Sequence, residues 1–267
     1  MSALVRIVGV VTALLVPVRV AASEPRVAVD ANLITALDTS ASVGRYEEWL
    51  EREGVARAVV HPGFLEVIKS GHHRRIGFAV FTWSSHGHTT TLVPWTTIAT
   101  PEDATRVSQH LLSINLIEES QLLDRDLPTD HYEAPKEQHQ TDIALAIRSA
   151  SALLNSAPSR SPRSVINIVG NGPSNSGMEP AKARDAALDA GQIVNGLVIS
   201  YGLVSDVEYY RTNVVGRPGS FVMQVANPQE MTEAFLAKFR LDVAGSSEVT
   251  ASDEQFLTAS ATNDPDP

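Results

Sequence analysis

Leu33-Ile34-Thr35-Ala36-Leu37-Asp38-Thr39-Ser40-Ala41-Ser42 decides the reading of this chain. Residues 33–37 form a short aliphatic run, of the length and kind that a strand buried on both faces shows. A carboxylate and two hydroxyls follow at alternate positions, just past the end of that strand. Oxygen donors so spaced make a compact hard-ligand site of the kind Mg²⁺ prefers. The same turn also has a purely structural use, in which Asp38 and Ser40 cap the helix that follows.

Outward from this stretch, aliphatic runs alternate with helical patterns. Strands are predicted at Asn32–Asp38, Ile76–Trp83, Thr89–Val93, Ser164–Val169, Ile193–Ser200 and Ser220–Val225. Amphipathic segments lie near Val43–Val60, Glu102–Leu112, Asp142–Leu154, Glu179–Ala190, Asp206–Thr212 and Pro228–Phe239. Short strands spaced by helices predict β-α-β units, a mostly parallel sheet and helices on both faces. Ile76–Trp83 and Thr89–Val93 are too close for a crossover helix, so they form a hairpin with one antiparallel strand. Thr100-Pro101 and Asn227-Pro228 mark helix starts, with a capping side chain before a proline. Ser176 to Glu179 and Ser205 to Glu208 fit the S-x-x-E capping box.

The first 22 residues read as a secretory leader. Arg6 precedes a short apolar core, Ile7–Val16, and Val20-Ala21-Ala22 offers small residues for cleavage. That core is shorter than the roughly 20 residues of a membrane span. The expected address is therefore export, to a periplasm or beyond. The remaining chain reads as one domain over residues 27–244 and a polar, acidic, disordered tail over 245–267. A long acidic loop spans residues 118–140.

The chain carries 31 acidic and 21 basic side chains, and the leader removes Arg6 and Arg19 but no acid. The mature charge is then 19 basic against 31 acidic, or −12. Such a surface argues against nucleic acid as a partner. There is no cysteine, which excludes disulfides and thiolate metal sites. Neither a P-loop, a G-x-S-x-G elbow, an H-E-x-x-H pair nor a strand-linked G-x-G-x-x-G is present.

Ligands of open α/β sheets collect beyond the carboxyl ends of the strands. Three segments are predicted to meet there: Asp38/Ser40/Ser42, Thr141 at the start of a helix it can also cap, and Gly170-Asn171-Gly172-Pro173-Ser174-Asn175 after a strand. Their order resembles the three-part metal-ion-dependent adhesion site (MIDAS) of von Willebrand factor A-type domains. Val93-Pro94-Trp95-Thr96, Gly177, Tyr209-Tyr210 and Val215-Gly216-Arg217-Pro218-Gly219-Ser220-Phe221-Val222 extend the likeness. Over about Ala31 to Leu241 the chain resembles a bacterial, exported subgroup of unknown function (DUF1194-like). The resemblance implies a three-layer α/β/α, Rossmann-like sheet. It also implies a metal site of Asp38, Ser40, Ser42, Thr141 and Asn171, holding Mg²⁺ or Mn²⁺, whose open position takes an acidic group from a protein partner.

Two departures bear on that site. Its third motif ordinarily brings an aspartate, and Asn171 keeps the oxygen but loses the charge, which weakens the cofactor. Asp142 beside Thr141 either restores a charge or complements its helix. The reading is a non-enzymatic binding module with no membrane span in the mature chain. A metal-independent interaction domain with a degenerate site and a metal-dependent hydrolase stand as alternatives. Other clusters carry less. His72-His73 reads as a solvated loop, and His86-Gly87-His88 as a hairpin turn short of metal ligands. His131 and His139 sit in the acidic loop. Trp83 and Trp95 read as packing at strand ends.

Overall fold

The computed structural model describes residues 26–114, 140–200, 204–216, 219–245 and 255–257 of the 267-residue chain. The predicted leader, all but the last residue of the predicted acidic loop with its His131 and His139, and most of the predicted tail lie outside the described residues.

The elements in chain order are β1 (Val27–Ala28), β2 (Asn32–Asp38), α1 (Arg45–Val60), α2 (Pro62–Ser70), β3 (Ile76–Trp83), β4 (Thr89–Ile98) and α3 (Pro101–Ser113). Then come α4 (Ile143–Asn155), β5 (Ser159–Arg160), β6 (Ser164–Gly170), α5 (Pro180–Asp189), β7 (Ile193–Ile199), α6 (Val204–Asn213), β8 (Val222–Val225) and α7 (Met231–Ala244). The main sheet runs β4-β3-β2-β6-β7-β8. Every neighbouring pair is parallel except β3 with β4. This is the mostly parallel sheet with one antiparallel strand that the sequence pattern predicts.

Alternation along β2 feeds two cores. Leu33 and Leu37 join a cluster with side chains of α1, α2, α3 and α7. Ile34 and Ala36 join a second cluster with α4, α5 and α6. Both faces are covered, so every residue of β2 is buried and the strand tolerates an unbroken aliphatic run.

Several boundaries differ from the sequence expectation. β4 continues past Val93 through Pro94 to Ile98. As an edge strand it pairs on one side only, so the missing proline N–H leaves no gap in the ladder. Helix α2 was not predicted. It starts at Pro62, with the His61 ring accepting from Gly63 N–H (3.0 Å), so the His-Pro pair opens a helix rather than ending one. Thr100 and Asp103 form a capping box, and Asn227 caps the 3₁₀ turn Pro228–Glu230. The S-x-x-E boxes do not form. Glu179 itself stands at the N-cap of α5 without a side-chain bond, and Ser205 lies inside α6.

Helix α7 is pinned to the sheet by a buried polar network. Asn167 on β6 and Asn195 on β7 are register partners. Their amides donate to the two oxygens of Asp242 (2.7 and 2.8 Å). Lys238, one turn earlier on α7, is fully buried, with Nζ 3.7 Å from Asp242 and 4.6 Å from the centre of the Phe221 ring. Burial lowers its ammonium to about 8, and Asp242 resists that fall. Replacing Asp242 with alanine strands a buried cation and two amides. We expect a loss of about 3–5 kcal/mol in urea unfolding, against a loss of under about 1 kcal/mol for an exposed substitution such as Glu233→Ala.

Candidate functional site at the carboxyl edge of the sheet

The strand order places the end of β2 between β3 and β6, so its terminal residue projects into the middle of the carboxyl edge. That residue is Asp38, with no exposed surface. The backbone N–H of Ser40 donates to Asp38 Oδ1 (2.8 Å), and Val43 N–H closes the turn on the Ser40 carbonyl (2.9 Å). Thr39 ties the turn to β3 by donating its N–H and its hydroxyl to the Trp83 carbonyl. Gly44, not Asp38 or Ser40, occupies the N-cap of α1, and no side chain caps it. The helix-capping use of this turn is thus set aside.

The turn presents its oxygens as a chain. The Thr141 hydroxyl donates to Ser40 Oγ (3.1 Å), Ser40 Oγ and Ser42 Oγ share a hydrogen bond (3.1 Å), and Ser42 Oγ donates to Asn171 Oδ1 (2.8 Å). The Asn171 amide returns a bond to the Ser42 carbonyl (2.9 Å). All five predicted residues therefore meet at one edge. Thr141 is not an N-cap. Asp142 takes that place and accepts from Leu145 N–H (2.8 Å), which frees the Thr141 hydroxyl for the cluster. The loop after β6 holds Thr141 in position: Asn175 Oδ1 accepts from its N–H (2.8 Å), and Ser174 Oγ donates to its carbonyl (2.9 Å).

The spacing suits a small divalent cation. An octahedral ion with bonds of about 2.0–2.1 Å has neighbouring ligands about 2.8–3.0 Å apart. The links Thr141–Ser40, Ser40–Ser42 and Ser42–Asn171 fall close to those edges. Beneath them, Asp38 Oδ2 is buried with no hydrogen-bond partner. An unanswered carboxylate oxygen under a ring of hydroxyls is what a bound cation would satisfy. Among the described residues, no three His, Cys, Asp or Glu side chains converge to hold a metal. Such an ion would therefore be held chiefly by hydroxyls and would keep much of its charge. His86 and His88 are not gathered with acids; the His86 ring bonds Ser85 Oγ (2.9 Å) in the hairpin turn. Trp95 packs, with Nε1 donating to the Leu153 carbonyl (3.0 Å).

Sequence reasoning missed two buried polar groups whose charge or hydroxyl bears on Asp38. Glu51 on α1 has no exposed surface, and neither of its carboxylate oxygens has a hydrogen-bond partner. Tyr210 on α6 is buried with its hydroxyl unanswered. A Cβ on Gly170 would lie 2.5 Å from Tyr210 Oη and 3.1 Å from Asp38 Oδ2, so glycine is required for these two polar ends to approach. Burial raises the Asp38 carboxyl to about 7, against the pull of the Ser40 hydrogen bonds and with a push from Glu47. Burial also holds Glu51 well above the usual carboxylate range, and Asp38, Glu47 and Glu48 push it further. The i, i+4 pair Glu47/Glu51 was the available signal, but in so charged a helix it reads as a solvated face.

The family model described as "Protein of unknown function (DUF1194)" matches residues 28–247. The chain belongs to this family. Among solved structures, this DUF1194 chain is similar to proximal thread matrix protein 1 (PTMP1) from the mussel byssus, described with a zinc-occupied MIDAS motif. The TM-score is 0.53 at 18% identity, covering 82% of this chain and 49% of that one. A second crystal form gives a TM-score of 0.51 at 18% identity over the same shares. The likeness shows the fold, an α/β/α sheet of the von Willebrand A type. The chain spans about half the length of these mussel structures. No curated protein matches it. No helix among the described residues is long and apolar enough to cross a membrane.

The Asp38 shift has a signed consequence. Without cations, the native state keeps a proton between about pH 4 and 7 that the unfolded chain releases. The Asp38 contribution to stability is thus present at low pH and is lost as pH rises through about 7. In EDTA, urea unfolding across this window should show a falling stability, to which Asp38 contributes a slope of at most about 1.4 kcal/mol per pH unit and the raised Glu51 carboxyl adds its own share. Asp38→Asn should flatten that part of the profile.

Proposed function

We propose that this domain is a non-enzymatic binding module, exported from the cell, that recognises an acidic side chain of a protein partner through a divalent cation at Asp38, Ser40, Ser42, Thr141 and Asn171. The observation that carries the reading is the oxygen chain from Thr141 to Asn171, spaced like octahedral edges, above an unanswered buried carboxylate. Ser40, Ser42 and Thr141 would bind Mg²⁺ or Mn²⁺ by their hydroxyls, and Asp38 directly or through water. A divalent ion with so few charged ligands remains electron-poor and takes an anionic ligand at its open position.

The chain's own residues shape the rest of the surface. Tyr46 in the first turn of α1, Met178 in the loop after β6 and Val204 at the start of α6 are exposed, and the topology puts all three at this edge. Tyr46 stacks on Trp49 with ring centres 5.9 Å apart. Apolar and aromatic side chains around a polar centre suit a protein partner better than a free ion. The Ser40, Ser42 and Thr141 hydroxyls bond hydroxyl and amide oxygens rather than a general base, which supports binding over nucleophilic catalysis.

One observation favours a second reading, a metal-independent interaction domain. The reciprocal Ser42–Asn171 bonds complete the oxygen chain without any cation. Melting the full mature chain in EDTA and in millimolar Mg²⁺, Mn²⁺ or Ca²⁺ separates the two. A cation present at about 100 times its Kd should raise the Tm by about 5–10 °C. Asn171→Asp should enlarge the rise and Asp38→Ala should abolish it. Equal melting with and without cations would favour the second reading.

A further inference from the structure

We infer that Glu51 supplies the second negative charge of this cation site, in place of the charge that Asn171 lacks. The inference rests on the cation reading given above. Three hydroxyls, one neutral amide and the single carboxylate of Asp38 set one negative charge against two positive ones. Hard-ion affinity depends strongly on ligand charge. Asp142 is already engaged in capping α4, with Oδ1 accepting from Leu145 N–H.

Glu51 meets the requirement on three independent grounds. First, it lies on the helix that leaves the Asp38–Ser42 turn, one turn beyond Glu47 on the same face. Second, both of its carboxylate oxygens are buried and unpartnered. A buried carboxylate without hydrogen bonds or a counter-ion is costly, so native chains rarely keep one without a use. Third, the charges that bear on it belong to Asp38, Glu47 and Glu48, all acidic, with Asp38 the foremost. The neighbouring Arg52 is drawn to Glu48 instead. The Tyr210 hydroxyl lies beside Asp38 Oδ2 at Gly170, and the charges of Asp38 and Glu51 both bear on it. The unanswered ends of Asp38 and Tyr210 thus meet at Gly170, and the buried, unpartnered Glu51 carboxylate lies near enough for its charge to bear on them. A divalent ion there, with Glu51 reaching it directly or across one water, would answer both acids.

Mn²⁺ titration of the full mature chain tests this, by calorimetry or by the loss of free-ion Mn²⁺ paramagnetic resonance. Metal-free melts of each variant run alongside. Glu51→Gln keeps the shape and removes the charge. It should weaken Mn²⁺ binding by about tenfold or more while leaving the metal-free Tm unchanged or raised, since a buried acid becomes a neutral amide. Adding Asn171→Asp to Glu51→Gln should restore most of the affinity. Wild-type affinity in Glu51→Gln would overturn the inference and leave the cation site standing. A lower metal-free Tm with weakened binding that Asn171→Asp does not rescue would also overturn it, showing a packing role. No Mn²⁺ binding by the wild-type chain would sink the cation site and this inference together.

Discussion

A carboxylate with no exposed surface stands at the end of the central strand, and the rest of the edge is arranged around it. Asp38 Oδ1 accepts from the Ser40 backbone N–H, and its second oxygen has no partner. Burying such a group is unfavourable unless it is protonated, bonded or matched by a cation. Gly170 is held to glycine by the approach of Asp38 and Tyr210. The hydroxyls of Ser40, Ser42 and Thr141 gather above it, and Asp142 takes over the capping of α4 so that Thr141 can join them.

A second buried acid, at Asp242, shows what a settled one looks like. It accepts two amide bonds, from Asn167 and Asn195, and lies near the Lys238 ammonium. Both of its oxygens are answered by the chain itself, and these bonds tie α7 to β6 and β7. Asp38 and Glu51 have no comparable company. The contrast is between an acid whose oxygens the chain answers and two acids with oxygens it leaves unanswered, within one protein.

Much of this was legible in the sequence. Strands β2 and β3 begin and end where the aliphatic runs meet polar residues, at Asn32–Asp38 and Ile76–Trp83. The D-x-S-x-S turn, Thr141 and Asn171 could be placed together because the carboxyl ends of parallel strands collect at one edge. Other features depend on tertiary context. Pro94 ends a strand by propensity but is tolerated on an edge. His61-Pro62 looks like a break and is a helix start. Glu51 sits among Glu47, Glu48, Arg52 and Glu53, and nothing in composition tells a buried glutamate from a solvated one. Only the packing of α1 against the sheet and its neighbouring helices turns that side chain inward.

The central claim is that the oxygen ring holds one divalent cation. Anomalous diffraction from crystals of the mature protein soaked in Mn²⁺ tests it most directly. The account predicts a single strong peak at the carboxyl edge, about 2.0–2.3 Å from Ser40 Oγ and Ser42 Oγ and close to Thr141 Oγ1. A peak elsewhere, or an empty ring with the Ser42–Asn171 bonds intact in millimolar Mn²⁺, would contradict it.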